Sequence, residues 1–159
     1  MKQLSARSKS TRKFALTIMT SLASLLPASA FAAPSYYVAK TGADTNPGTE
    51  QQPWLTVQHA ANVASPGSTV YVHAGTYQER VNINVSGNSQ DGYITFSNYP
   101  GETPILDGST LVAPTSDNGM FFISNQNYIV INGFQIENYG TGSAQVFPMG
   151  IMVEGTSRY

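Results

Sequence analysis

The chain has 159 residues, no cysteine, only 11% charged residues and a formal net charge of −1. Five of its eight basic residues (Lys2, Arg7, Lys9, Arg12, Lys13) lie in the first thirteen positions, so from Pro34 onward three cations stand against nine carboxylates, a net −6. That balance offers no electrostatic footprint for nucleic acid or for an anionic membrane surface, and stability has to come from burial and backbone hydrogen bonding rather than disulfides.

The basic opening runs into the apolar stretch FALTIMTSLASLL, then Pro27 and ASAFAA. Small residues at Ala30 and Ala32, or at Ala28 and Ala30, stand where a signal peptidase reads, which predicts a secretory signal over 1–32. The protein is then expected outside the cytoplasm, extracellular or periplasmic, with no membrane attachment after cleavage. The competing reading, an uncleaved anchor, is weakened by the short run and its serine and threonine content. About 126 residues remain, enough for one domain with a core but not for two.

Residues 33–68 read as a lead-in strand followed by one short helix. In TVQHAANVA, Thr56 is a candidate N-cap, and Val57, Ala60, Ala61 and Ala64 recur at helical spacing as a narrow apolar stripe that Pro66-Gly67 stops. His59 falls on the opposite face, where a solvated role is expected. Trp54 is expected to pack the cap.

From residue 69 the hydrophobic period changes to two. Val70 and Val72, then Val81, Ile83 and Val85, then Ile94 and Phe96, then Ile129 and Ile131 share faces of short half-buried strands, separated by turn-rich breaks such as SGNSQDG and NYPGETP. A sandwich, barrel, propeller or solenoid all satisfy this spacing. An internal repeat favours the solenoid. GMFFISNQNY at 119–128 aligns with GIMVEGTSRY at 150–159, an offset of thirty-one that matches Gly119 with Gly150, Met120 with Ile151, Phe122 with Val153 and Tyr128 with Tyr159. With the polar loop YGTGSAQVFP counted as an insertion, the unit is expected near twenty-odd residues, the size of a parallel β-helix coil. Residues 69–159 are thus expected to form about three coils, with the last segment opening another, as in the N-terminal piece of a longer protein.

The stretch YYVAKTGADTNPGTEQQPWLTVQHAANVASPGSTVYVHAGTYQERV, with its Gly-x-Asp and Pro-Gly-Thr turns, short helix and Gly-Thr-Tyr, resembles the N-terminal part of secreted right-handed parallel β-helix proteins of the pectin-lyase-like superfamily. GYITFSNYPGETPILDG and NYIVINGFQIENYG look like its first coils. The resemblance is nearest to polysaccharide lyase family nine pectate lyases and their uncharacterised relatives. It implies an all-β, right-handed single-stranded parallel β-helix with an N-terminal capping helix. It also implies an acidic, pectate-like polysaccharide as partner and, in the complete protein, β-elimination by a lysine or arginine base with calcium held by aspartates. Such a carbon acid is very weak until the neighbouring carboxylate is neutralised. Since the resemblance places those residues on middle coils, no catalytic, cofactor-binding or metal residue is assigned here, and the chain alone is expected to be inactive. A non-catalytic glycan-binding or adhesin module, and a glycoside hydrolase, are the alternatives.

Individual residues support only ordinary roles. Lys40, Arg80 and Arg158 are expected to be solvated. Asp44-Thr-Asn46-Pro-Gly48 reads as an Asx-type turn rather than a calcium loop, and Asp107 and Asp117 as turn formers. Glu137 and Glu154 should point outward without a catalytic partner. Tyr71, Tyr77 and Tyr139 are expected to be exposed, available to stack on sugars or to pack against neighbouring coils.

Overall fold

A computed structural model describes residues 32–112, 119–140 and 148–156. The proposed signal segment up to residue 31, Asp117, Arg158 and the match of Tyr128 with Tyr159 lie outside the described residues. No helix among the described residues is long and apolar enough to cross a membrane.

The elements in chain order are β1 (Ser35–Val38), α1 (Val57–Val63), β2 (Thr69–Val72), β3 (Gly75–Tyr77), β4 (Val81–Ile83), β5 (Ile94–Asn98), β6 (Pro104–Asp107), β7 (Gly119–Ser124), β8 (Ile129–Asn132), β9 (Gln135–Glu137) and β10 (Met149–Glu154). They build three sheets, in the orders β1-β2-β5-β8, β3-β6-β9 and β4-β7-β10. Every strand pairing is parallel. Three consecutive strands make one turn of a solenoid, each turn stacks on the one before, and β1 adds a further layer at the N-terminal end of the first sheet.

Period-two alternation converts directly into columns of inward side chains. Tyr36, Val70, Phe96 and Ile131 are successive partners in the first sheet. Tyr77, Leu106 and Ile136 follow one another in the second, and Val81, Phe121 and Ile151, with Ile83, Ile123 and Val153, do so in the third. Val70, Val72, Ile94, Phe96, Leu106, Val81 and Phe121 are fully buried. Burial falls off toward the last layer, where Ile151 and Val153 are 46% and 41% exposed.

The coil varies in length, from the expected twenty-odd residues upward. Thr69 pairs with Thr95 and Thr95 with Val130, steps of 26 and 35 residues, while Val81 to Phe121 takes 40. Connections such as 84–93, in the step from Val81 to Phe121, absorb the extra length. The repeat alignment was also one residue out of register: Phe121 pairs with Ile151 and Ile123 with Val153, an offset of 30, and Gly119 lies beside Met149 rather than Gly150. GMFFIS is a continuous apolar run, so its composition conceals which parity faces inward, and matching glycine to glycine selected the wrong one.

The cap covers the free edge of β1. Trp54 N donates to Tyr37 O at 2.9 Å and Ala39 N donates to Trp54 O at 2.9 Å. The indole is buried, stacked on Tyr36 at 4.8 Å, touched edge-on by His59 at 5.0 Å, and donates from Nε1 to Asn46 O at 2.9 Å. His59 is therefore a packing partner of the tryptophan rather than a solvated residue. Thr56 is the N-cap of α1, its hydroxyl accepting from His59 N, and Val57, Ala60, Ala61 and the following Ala64 are buried.

Two carboxylates fasten this helix to the body. Asp44 accepts from Leu55 N, Thr56 N and Thr56 Oγ1 at 2.9, 3.0 and 2.8 Å. It is therefore a bridge across the cap loop and not a local Asx turn. Glu79 accepts from Val57 N and Gln58 N, both at 2.9 Å. Burial pushes the Glu79 carboxyl above its ordinary range, against the opposing pull of the Gln58 and Val57 amides.

Asp107, expected as a turn former, is one. Its carboxylate accepts from Ser109 N at 3.0 Å, Ser109 Oγ at 2.7 Å, Asn138 Nδ2 of the next turn at 3.0 Å and, at longer reach, Gln78 Nε2 of the previous turn at 3.4 Å. The Ser109 hydroxyl first, then Asn138 and the Ser109 amide, hold its carboxyl down to about 2 from an ordinary 3.8. A carboxylate depressed on folding stabilises the native state above its unfolded value and loses that contribution as pH falls through its native value. Asp107→Asn is therefore expected to lower the melting temperature at neutral pH and to narrow the gap to the parent between about pH 4 and pH 2. Parallel melting curves at every pH would contradict the assignment.

Candidate functional site

The outward parity of the first sheet builds the chemically distinctive surface. With Tyr36, Val38, Val70 and Val72 pointing inward, Tyr37 and Tyr71 point outward on adjacent strands as direct partners, their rings 5.6 Å apart. The parallel ladder continues past the strand ends. His73 N donates to Val38 O and Tyr99 N to Val72 O, which places His73 and Tyr99 on successive layers. Their rings stack at 4.2 Å, and Tyr99 lies 6.3 Å from both Tyr37 and Tyr71. All four rings are half-buried. Three layers, β1 and the first two turns, thus contribute to one aromatic wall.

Two carboxylates border it. The turn after β5 is closed by Glu102 N donating to Tyr99 O, with Gly101 at φ 80° and Asn98 Nδ2 donating to Glu102 O. This geometry returns the Glu102 side chain to the previous layer, where it accepts from Ala74 N at 2.6 Å and lies 3.2 Å from His73 Nδ1. The Ala74 amide, and after it His73, lower the Glu102 carboxyl against desolvation. Glu50, from the cap loop, accepts from the Tyr99 hydroxyl at 2.8 Å, which raises the phenol. Beside the wall lies an open cleft of about 470 Å³ whose lining includes Lys40, Thr41, Glu50, Gln51, His73 and Glu102. Rings, hydroxyls and acceptor-only carboxylates suit a ligand with apolar faces and hydroxyl donors.

The residues singled out in the sequence divide sharply. Tyr71 belongs to the wall. Tyr77 does not: it points inward in β3, is 1% exposed, and its hydroxyl donates to His73 O at 3.0 Å. Burial raises its phenol, with a smaller contribution from Glu79. Tyr139 is half-buried against Gly108, with a buried hydroxyl. Lys40 is exposed but lines the cleft, its ammonium 5.0 Å from the centre of the Tyr77 ring. Arg80 is half-buried rather than solvated, and Nε donates to Gly119 O of the next turn. Glu137 is the register partner of Asp107, and Glu154 accepts from Ser124 Oγ. Both oxygens of Asp107 are occupied by neutral donors, so the Asp107–Glu137 pair is no acid–base couple.

Tyr37, His73, Tyr99, Glu50 and Glu102 went unrecognised in the sequence. Only strand parity combined with the pairing register brings them together, although the outward position of Tyr71 was a usable starting point. Among the described residues, no group of three or more His, Cys, Asp or Glu side chains converges.

The fold and its aromatic face can be set beside known proteins. Residues 36–159 match the family described as Pel9A-like, right-handed β-helix region. An uncharacterised protein, YwoF, of Bacillus subtilis (strain 168) is 33% identical over 124 residues, covering 77% of this chain and 26% of that protein. Pectate lyase PEL9 of Emericella nidulans is 36% identical over 97 residues, covering 60% of this chain and 23% of the enzyme. The chain thus spans about a quarter of the length of these relatives. A solved rhamnogalacturonan lyase superposes over 66% of this chain and 29% of its own with a TM-score of 0.52 at 23% identity, a likeness of fold. Parallel three-sheet coils under a helical cap and a family match over most of the chain agree: the protein belongs to the Pel9A-like right-handed β-helix family, within the pectin-lyase-like superfamily of polysaccharide-active proteins.

Proposed function

We propose that the whole protein is exported and cleaves an acidic, pectate-like polysaccharide by β-elimination, and that the present residues hold glycan on the Tyr37–Tyr71–Tyr99 face. The observation that carries this reading is the family match over 36–159, strengthened by 36% identity to a pectate lyase over 97 residues. The half-buried aromatic wall supports a sugar-polymer partner, since pyranose rings present apolar faces to aromatics and hydroxyls to carboxylates. No described residue is assigned as the proton-abstracting base. Lys40 lies over a tyrosine ring, and Arg80 is committed to a carbonyl.

The test is incubation of polygalacturonate and calcium with the whole protein and, separately, with this chain. Ultraviolet absorbance from unsaturated uronate ends is expected with the whole protein and not with the chain alone. New reducing ends without that absorbance would indicate hydrolysis and overturn the lyase reading. A second reading, a non-catalytic glycan-binding module, is favoured by the same aromatic wall. It takes precedence if the whole protein retains polysaccharide without cleaving it.

A further inference from the structure

We propose that the cleft beside the tyrosine wall takes a neutral pyranose residue and turns uronates away. The inference rests on the reading of this face as a glycan site and specifies which sugar it accepts. Uronate recognition by the complete protein then falls to residues outside this face.

Charge and hydrogen-bonding capacity select the ligand. Glu50 and Glu102 both line the cleft and each is held in place by a donor, the Tyr99 hydroxyl for one and the Ala74 amide for the other. Ionised carboxylates are pure acceptors, and the bonds they receive from sugar hydroxyls are charge-assisted. A neutral pyranose supplies such hydroxyls around its edge while its C–H face lies against His73, the ring of the wall that lines the cleft. A uronate brings a further negative charge into a site that already holds two, on a domain whose net charge from Pro34 onward is −6. The lining contains one lysine, Lys40, whose ammonium sits over the Tyr77 ring, and one histidine, His73, which Glu102 already engages at 3.2 Å. A uronate carboxylate there would shed water beside like charges without a matching cation for each. Gln51 and Thr41 complete the lining with groups that both donate and accept, again suited to hydroxyls.

Calorimetric titration of the full chain with hexamers of xylose, of galactose and of galacturonate tests this. At least one neutral hexamer is expected to bind about tenfold more tightly than the galacturonate hexamer. His73→Ala is expected to weaken neutral binding by about fivefold to tenfold. Glu102→Gln, which keeps an acceptor for the Ala74 amide, should bring galacturonate to within about threefold of the neutral sugar. Unchanged melting temperatures would show both variants to be folded. Tighter binding of galacturonate, still sensitive to His73→Ala, would overturn the neutral-sugar assignment and leave the glycan face standing. Binding of no hexamer would overturn both, and neutral binding indifferent to both substitutions would place the sugar elsewhere and defeat the proposal.

Discussion

Phe121→Ala is expected to destabilise the solenoid by about 3–5 kcal/mol, whereas Phe122→Ala, one residue further on, should cost about 1 kcal/mol or less. Phe121 is fully buried in the middle strand of the third sheet, stacked between Val81 and Ile151, and meets Phe134 edge-on with ring centres 5.1 Å apart. Truncation removes the ring and leaves a cavity that two flanking layers, tied by backbone ladders, cannot collapse to fill. Phe122 is only half-buried, in register with Asn82 and Met152 on the outer side. Urea unfolding followed by tryptophan emission measures both, because the chain contains a single tryptophan. Reversed magnitudes would restore the alignment of Phe122 with Val153 and overturn the register described above.

Disruption of the cap should come next in size. Gly48 has φ 79°, and a Cβ built there would lie 2.5 Å from Cε2 of Trp54 and 2.6 Å from Cζ2. Alanine at this position meets two separate obstacles: a left-handed backbone that disfavours a side chain by about 1–2 kcal/mol, and an indole that has to move. The indole is held by its stack on Tyr36, the His59 edge and the Nε1 bond to Asn46 O, so its displacement also loosens the covering of β1. Gly48→Ala is expected to cost about 2–4 kcal/mol and to shift Trp54 emission to the red. Trp54→Ala, which removes the indole outright, should cost about 3–5 kcal/mol. Unchanged emission and melting temperature in Gly48→Ala would show that the cap does not close around this ring.

These two sites also mark where reading the sequence succeeds and where it stops. The inward sets Val70/Val72, Val81/Ile83 and Ile94/Phe96 are legible because polar residues separate them, so alternation alone reports the buried face. The helix and its Thr56 cap are legible because cap and stripe are local in sequence. GMFFIS is not, since four successive apolar residues carry no parity signal. Asp44 fails for a different reason: Asp-Thr-Asn-Pro-Gly is a good local turn sequence, and nothing nearby announces acceptor bonds to amides eleven and twelve residues away. Tyr77 was misplaced because Gly-Thr-Tyr is too short to show a period, whereas pairing with Leu106 sends it inward. The aromatic wall was the hardest feature to see. Its rings come from three layers, and only the register between strands states which residues share a face.

The carboxylates that organise this domain accept their bonds from neutral partners. Asp44 is held by two amides and a hydroxyl, Glu79 by two amides, and Asp107 by serine, asparagine and glutamine. Dissolved salt weakens attractions between opposite charges, yet it has little hold on short contacts of this kind. Added electrolyte therefore leaves the fastenings of the cap and the coil turns intact, while it damps the mutual repulsion of the surplus acidic groups. The melting temperature is therefore expected to hold steady as sodium chloride is added, where a protein stitched together by surface ion pairs would lose part of its cohesion.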